Sequence, residues 1–247
     1  MLKAQPLAWA FALCCLAEPV WAEAVNVAAA ANFTAAAKYI EEAFEAATGH
    51  DVVFSFGSTG KFYSLIVNGA PFDAFLAADA VLPEMLEGEG HAMAGTRFTY
   101  ALGTLVLWSP RPGQDLKARL LAGSYEKLAI ANPKTAPYGA AAVQALEAMG
   151  LSRDASDKLV QGDSVAQTRQ FVASGAADLG FVALAQVVLD PSGSTWFVEE
   201  DLYDPIAQQA VLLIEGADNA AALAFLEFLK GPQAVEIIRS FGYGTAE

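Results

Sequence analysis

The chain has 247 residues, enough for one large domain or for two lobes with separate cores. Its 28 acidic and 14 basic residues give a formal net charge of −14 at pH 7. This charge argues against a nucleic-acid-binding protein, because phosphates would be repelled in the absence of a basic surface. Both cysteines, Cys14 and Cys15, lie near the N-terminus.

Residues 1–22 are typical of a secretory signal peptide. Lys3 precedes a short apolar stretch, residues 7–17, and Val20-Trp21-Ala22 is typical of a cleavage site. The apolar stretch is too short to span a bilayer as a helix. A lipoprotein anchor at Cys14 is disfavoured, because a leucine precedes it where a small residue would be expected. We therefore expect a periplasmic protein whose mature chain has no cysteine and no disulfide bond.

The first part of the mature chain alternates predicted strands with amphipathic helices. In chain order, these elements are a strand at 25–30, a helix at 33–48, a strand at 51–56, a helix that begins near residue 59, a strand at 72–77 and a helix at 81–87. Such alternation predicts an α/β fold built on largely parallel sheets covered by helices on both faces.

Two long apolar segments in the rest of the chain predict crossings between lobes. These are residues 100–108 and residues 206–214, and each is a candidate hinge strand. The other predicted elements are a strand at 128–131, helices at 138–149 and 165–173, a strand at 179–183, and closing helices at 219–230 and 232–239. We expect a discontinuous first lobe, residues 23–103 and 208–247, and a second lobe, residues 104–207.

Four small or uncharged residues stand at predicted helix starts: Asn32, Ser58, Tyr138 and Val165. A helix start has unpaired backbone N–H groups and about half a positive charge, so it attracts anions. Open α/β sheets bind ligands beyond the carboxyl ends of their strands, where these four loops are expected to lie. If the four meet, they form an anion site without lysine or arginine.

Such a site would select among anions by their protonation. Backbone N–H groups and the hydroxyls of Ser58 and Tyr138 offer donors, which suit a fully ionised tetrahedral dianion. A protonated oxyanion would leave its buried proton unpaired, at a cost of about 1–3 kcal/mol. Charge-assisted hydrogen bonds are about twice as strong as neutral ones and would offset the dehydration of the ion.

Several segments, in this order and spacing, resemble the periplasmic molybdate-binding proteins of ABC importers. They are Ala29-Ala30-Ala31-Asn32-Phe33-Thr34, Phe56-Gly57-Ser58-Thr59-Gly60, the run from Gly69 to Asp79, the run from Asn132 to Gly139, Asp163-Ser164-Val165, Asp178-Leu179-Gly180-Phe181-Val182 and the run from Phe228 to Ala234. The resemblance covers nearly all of the mature chain.

The resemblance implies a two-lobed type II binding protein that holds molybdate, and also tungstate, between its lobes. Asn32, its neighbour Ala31 and Ser58 would contact the oxyanion from the first lobe; Tyr138 and, through its backbone N–H, Val165 would contact it from the second. No side chain would ligate the metal directly. The family also implies a monomer without a cofactor or enzymatic activity, which delivers its ligand to a membrane permease with its ATPase.

The chain departs from many family members at the site. Those members have serine where this chain has Asn32, a tyrosine where it has Ala183, and a small residue where it has Tyr138. The pattern resembles an Asn-plus-Tyr variant of the site, with the phenol carried by another loop. Ligand identity is therefore less determined than the fold, and another tetrahedral oxyanion such as sulfate is the alternative.

Other interpretations of the same residues are weaker. An exported serine hydrolase would use Ser58, but the loop lacks the glycine of a nucleophile elbow, and the loop is also too short for a nucleotide phosphate site. Taken singly, Ser58 and Asn32 fit helix caps, and Tyr138 and Val165 fit ordinary core. His50 and His91 are predicted to be surface residues. The acidic residues Glu84, Glu87 and Glu89 are predicted to form a solvated helix end.

Overall fold

The computed structural model describes residues 23–190 and 192–245 of the chain. The predicted signal peptide and both cysteines lie outside the described residues. Within them the chain forms two five-stranded sheets flanked by helices, which confirms the predicted two-lobed α/β fold. None of the helices in the described part of the chain is both long and apolar enough to cross a membrane.

Ten strands and nine α-helices make up the described part of the chain. The strands are β1 (Ala24–Ala30), β2 (Asp51–Gly57), β3 (Ala74–Leu76), β4 (Phe98–Gly103), β5 (Leu105–Ser109), β6 (Leu128–Ala131), β7 (Leu159–Gly162), β8 (Leu179–Ala183), β9 (Ser194–Phe197) and β10 (Ile206–Leu212). The helices are α1 (Thr34–Thr48), α2 (Thr59–Val67), α3 (Val81–Gly88), α4 (Leu116–Leu121), α5 (Pro137–Ala148), α6 (Ser152–Ser156), α7 (Val165–Ala173), α8 (Ala220–Lys230) and α9 (Pro232–Ser240).

The two sheets have matching topologies. The first has the order β2-β1-β3-β10-β4 and the second the order β7-β6-β8-β5-β9. In each sheet four strands run in one direction, and the fourth strand in the order, β10 or β5, runs antiparallel to both neighbours. The sheets are therefore mostly parallel, with one reversed strand each.

The chain passes between the sheets where these reversed strands begin. Only Thr104 separates β4 in the first sheet from β5 in the second. The predicted single strand at 100–108 is thus two strands, because Gly103 pairs with Ile206 while Leu105 pairs with Ala183 in the other sheet. The return passage lies between β9 and β10, so the predicted boundary between residues 207 and 208 falls inside β10.

Each lobe has its own apolar core. In the first lobe α1 buries Ala36, Ala37, Ile40 and Phe44, whose spacing of three to four residues places them on one helix face. The helix ends at Gly49, which has a left-handed φ of 75° that glycine adopts without strain. In the second lobe Trp108 is among the largest fully buried side chains.

Candidate functional site

Four helical segments begin within one to six residues of the carboxyl ends of parallel strands. The 3-10 turn Ala31–Phe33 follows β1, and α2 follows β2, both in the first lobe. In the second lobe α5 follows β6 and α7 follows β7. These four segments meet at a small cavity of about 10 Å³.

The cavity contains every residue that the sequence placed in the site. Its walls are formed by twelve residues: Ala30, Ala31, Asn32, Gly57, Ser58, Thr59, Ala78, Ala136, Pro137, Tyr138, Ser164 and Val165. Among these described residues there is no lysine, arginine, aspartate or glutamate. The positive ends of helical segments therefore supply the local electrostatic potential, because the first backbone N–H groups of a helix have no acceptor within it.

Two serines precede helices at the cavity, but their side chains differ in role. The Ser164 Oγ accepts a hydrogen bond from the Gln167 N–H at 3.3 Å and so caps α7. Ser58 occupies the same position before α2, yet its side chain makes no capping hydrogen bond. Ser58 is largely buried and lines the cavity. Because its hydroxyl does not cap α2, it is available as a donor toward the cavity.

Tyr138 brings a phenol to the cavity from the first turn of α5. Its side chain is fully buried, and its Oη accepts a hydrogen bond from the Gln208 Nε2 at 3.3 Å. Burial raises the pKa of Tyr138 well above its usual range, and the neighbouring Tyr243 and Tyr100 raise it further. The phenol therefore keeps its proton at any physiological pH and is able to donate a hydrogen bond.

Asn32 uses its side-chain amide within the protein. The Nδ2 group donates to the Gln208 Oε1 at 2.7 Å and to the Tyr243 Oη at 2.9 Å. The Tyr243 hydroxyl in turn donates to the backbone carbonyl of Asn32 at 3.0 Å. Both amide protons are thus committed, so Asn32 can offer the cavity its backbone N–H but no side-chain donor.

Sequence reasoning missed three polar residues behind the cavity: Gln208, Tyr100 and Tyr243. All three are buried, and the Tyr100 hydroxyl lies 3.2 Å from the Gln208 Oε1. We refer to these three residues together with Asn32 and Tyr138 as the buried polar cluster. One signal was present in the sequence, since Gln208 and Gln209 interrupt an otherwise apolar predicted strand.

The two lobes also touch directly beside the cavity. The Gly60 N–H in α2 donates to the Thr135 carbonyl of the second lobe at 2.8 Å. A Cβ atom on Gly60 would lie 3.0 Å from the Thr135 Cα, closer than side chains normally approach. Glycine at this position therefore permits the contact between lobes.

The remaining candidate residues do not form a second site. The prediction that His50 is a surface residue is wrong: it is 8% exposed, lies against Phe44, and its Nδ1 accepts from the Glu23 N–H. Glu87 forms an ion pair with Arg97 at 3.0 Å. No group of three or more potential metal-ligating side chains occurs in residues 23–190 and 192–245.

Comparisons with known proteins find strong similarity over nearly the whole chain. The family described as bacterial extracellular solute-binding proteins matches residues 25–244, which include every residue of the cavity. The molybdate-binding protein ModA of Azotobacter vinelandii is 56% identical over 237 residues, covering 94% of this chain and 93% of that protein. ModA of Rhodobacter capsulatus is 50% identical over 231 residues, covering 93% of this chain and 92% of its own length.

A solved structure extends this similarity to three dimensions. The periplasmic molybdate-binding protein of Azotobacter vinelandii superposes with a TM-score of 0.86 at 45% identity. The superposition covers 90% of this chain and 100% of that chain. The likeness therefore includes both lobes.

Proposed function

Since the chain belongs to the bacterial extracellular solute-binding proteins, in the group that includes the molybdate-binding proteins ModA, we propose that it captures molybdate in the cavity between its lobes. It is a binding protein and not an enzyme, as its relatives are. The ligand is thus a transported solute and not a cofactor. An ABC importer, through its permease and ATPase, is the partner that receives it.

One observation carries the choice of an oxyanion. Four helical segments from two lobes point their N-terminal ends at one cavity whose walls contain no charged side chain. A dianion held there accepts hydrogen bonds from fixed dipoles in a site that excludes water, where such bonds are strong. A cationic or apolar ligand would gain nothing from this arrangement.

Each site residue has a definite role in this proposal. The hydroxyls of Ser58 and Tyr138 donate to the oxyanion, one from each lobe. Ala31, Asn32 and Val165 donate through their backbone N–H groups at the starts of their helical segments. No protein atom ligates the molybdenum, because every donor is a hydrogen that faces an oxygen of the ion.

The same proposal includes the location of the protein, its oligomeric state and the movement of its lobes. We place the protein in the periplasm as a monomer, after removal of residues 1–22. The first lobe, residues 23–103 with 206–247, and the second lobe, residues 104–205, would open and close about the two connections between the sheets. The present cavity of about 10 Å³ has room for about one water molecule, so the lobes would stand slightly further apart around the ion than they do here. Closure would bring Gly60 toward Thr135 and bury the ion.

A panel of oxyanions tests the function. Molybdate at about a hundred times its dissociation constant should raise the free energy of unfolding by about 2.7 kcal/mol, measured as a thermal shift. We expect tungstate, a dianion of the same shape, to act similarly and hydrogen phosphate to give no shift, since its proton would lack an acceptor. A shift with sulfate alone would reassign the ligand, and no shift with any anion would overturn the proposal.

A further inference from the structure

Gln208 is the member of the buried polar cluster that contacts both lobes. It lies on β10, is 0% exposed, and its amide group stands between Asn32 of the first lobe and Tyr138 of the second. A fully buried amide in an apolar strand is costly unless its hydrogen bonds are satisfied. Here its Oε1 accepts from Asn32 and lies near the Tyr100 hydroxyl, while its Nε2 donates to Tyr138.

The direction of these hydrogen bonds decides what Tyr138 can do. A phenol has one proton, and its oxygen can also accept a hydrogen bond. The Tyr138 Oη accepts the hydrogen bond from the Gln208 Nε2, so the single phenol proton is not used in that bond and can be donated to another acceptor. The cavity is the place where that proton finds an acceptor, namely an oxygen of the bound anion.

We propose that Gln208 is a positioning residue that fixes the phenol of Tyr138 as a donor toward the bound oxyanion and ties it to Asn32 across the lobes. The inference rests on the proposed function, because it takes Tyr138 to be a ligand-binding residue. Gln208 does not line the cavity itself. It acts through Tyr138, and its hydrogen bonds reach residues of both lobes.

The backbone at Gly103 leaves no space for the Tyr138 phenol or the Gln208 amide to move toward it. A Cβ atom built on Gly103 would lie 2.3 Å from the Tyr138 Oη and 2.9 Å from the Gln208 Nε2. The phenol and the amide therefore pack against the backbone where β4 ends. Any side chain there would displace one of the two groups.

The nearly isosteric substitution Gln208→Glu tests the direction of the hydrogen bond. An ionised carboxylate can only accept, so the Tyr138 hydroxyl would donate its one hydrogen bond to the new carboxylate instead of to the bound anion. We expect molybdate affinity, measured by calorimetry, to fall by about tenfold or more. Gln208→Met, which removes the donor without offering a competing acceptor, should weaken binding less.

Gln209→Glu is the matched control. Gln209 is the next residue of the same strand, but its side chain bonds to Arg97 and Thr99, away from the cluster. It adds the same charge to β10, and we expect affinity close to that of the wild type. Equal losses in the two variants would overturn the inference, since they would reflect charge alone.

A double-mutant cycle with Tyr138→Phe separates positioning from general damage. If Gln208 acts through the phenol, Q208E should cost much less affinity in the Y138F protein than in the wild type. An undiminished cost in that background would refute the inference. Binding of molybdate to Y138F and Ser58→Ala with wild-type affinity would instead refute the site assignment, and absence of binding to the wild type would refute the proposed function.

The pH dependence of Q208E provides a readout that a purely structural role would not change. A buried carboxyl has a raised pKa, so lowering the pH from about 8 to about 5.5 should protonate it and restore a donor. We expect the affinity of Q208E, relative to Q209E at each pH, to recover as pH falls, and a flat ratio would count against the inference. The titratable groups around this position are Tyr100, Tyr138 and Tyr243. Further away, Tyr203 helps to raise the pKa of Tyr138, and Asp79 helps to raise the pKa of Tyr100.

Discussion

Ser58 and Ser164 show how one residue type serves two purposes at equivalent positions. Both precede a helix at the cavity, but only the Ser164 side chain caps its helix. An N-cap serine contributes about 1 kcal/mol to stability, and a hydrogen bond to a charged ligand contributes about 1–3 kcal/mol to binding. Loss of the Ser164 hydroxyl should therefore lower stability, and loss of the Ser58 hydroxyl should lower binding affinity.

We expect Ser164→Ala to lower the free energy of unfolding by about 1 kcal/mol in urea denaturation. Ser58→Ala should leave stability nearly unchanged and weaken molybdate binding by about 1–3 kcal/mol, as measured by calorimetry. Each variant is the control for the other. If S58A lost stability and kept its affinity, Ser58 would be an ordinary cap and not a ligand-binding residue.

At the same scale, local chain patterns place some residues of the predicted site. Ser58, Tyr138 and Val165 stand at strand–helix junctions, which can be recognised from patterns within about ten residues, and they line the cavity, while their binding role stays a prediction. The buried polar cluster could not be predicted in this way, since Asn32 lies 176 residues from Gln208 and 211 from Tyr243 in the chain. Such pairings depend on how the lobes pack, which hydrophobic periodicity does not encode.

Among the elements, α2 combines a site residue with a contact to the other lobe. Its first turn carries Gly60, whose N–H donates to the Thr135 carbonyl. A substitution in this turn should therefore change ligand binding if contact between the lobes accompanies binding.

Gly60→Ala should weaken molybdate binding by about 1–2 kcal/mol, because the added Cβ meets the Thr135 backbone only when the lobes are in contact. Gly88→Ala is the control, since a Cβ at Gly88 in α3 has nothing within 4 Å. Calorimetry should show the loss for G60A and none for G88A. An equal effect of the two would mean that the contact plays no part in binding.

Elements with a continuous apolar run or a repeated helical period were predicted more accurately than the others. The strands at 128–131 and 179–183 and the helix at 165–173 have the predicted bounds as β6, β8 and α7. The four-residue strands β7 and β9 and the short helices α4 and α6 were not predicted. The helices α4 and α6 contain less than two turns, and β7 and β9 have only two apolar residues each, so neither periodicity nor an apolar run identifies them.

The whole molecule buries three tyrosine hydroxyls in one place. Burial raises the pKa of Tyr100, Tyr138 and Tyr243 above the usual value. Below about pH 10 the folded and unfolded chains both hold these protons, so the cluster's contribution to stability is complete. Above that pH the unfolded chain loses protons that the folded chain keeps, and stability falls as pH rises.

The expected decrease is about 1.4 kcal/mol per pH unit for each such tyrosine. Urea denaturation between about pH 9 and about pH 11 should show a smaller slope for Tyr243→Phe than for the wild type. Tyr39→Phe is the control, because Tyr39 is 53% exposed, and it should keep the wild-type slope. Identical slopes in all three proteins would contradict the prediction.

A protein with a net charge of −14 must still admit an anion. Two grooves adjoin the cavity: one, of about 360 Å³, is lined by Lys38 and Arg169 and by no carboxylate, whereas the other, of about 440 Å³, is lined by Lys134 with Asp79 and Asp204. Both grooves share residues with the cavity, and Arg169 forms an ion pair with Asp190 at 3.8 Å, so Lys38 is the cation that distinguishes the first groove. We expect anions to approach through the first groove.

At low ionic strength Lys38→Gln should slow molybdate association by about two- to fivefold and leave dissociation unchanged, as stopped-flow fluorescence would measure. The difference should shrink at about 0.15 M salt, where charges are screened beyond about 8 Å. Lys134→Gln, in the other groove, is the control. A larger effect of K134Q would place the approach on the opposite side.

The close packing of Tyr138 against Gly103 has a mechanical consequence for the proposed closure of the lobes about Thr104. A point close to a pivot travels a short arc, and a point at the outer edge travels a long one. The phenol would therefore stay nearly in register with the first lobe through every such movement, and residues farther from Thr104 would be displaced more. Spectroscopic labels should accordingly be attached far from Thr104, where the displacement is largest, and a probe at the phenol would record contact with the ion without recording the movement.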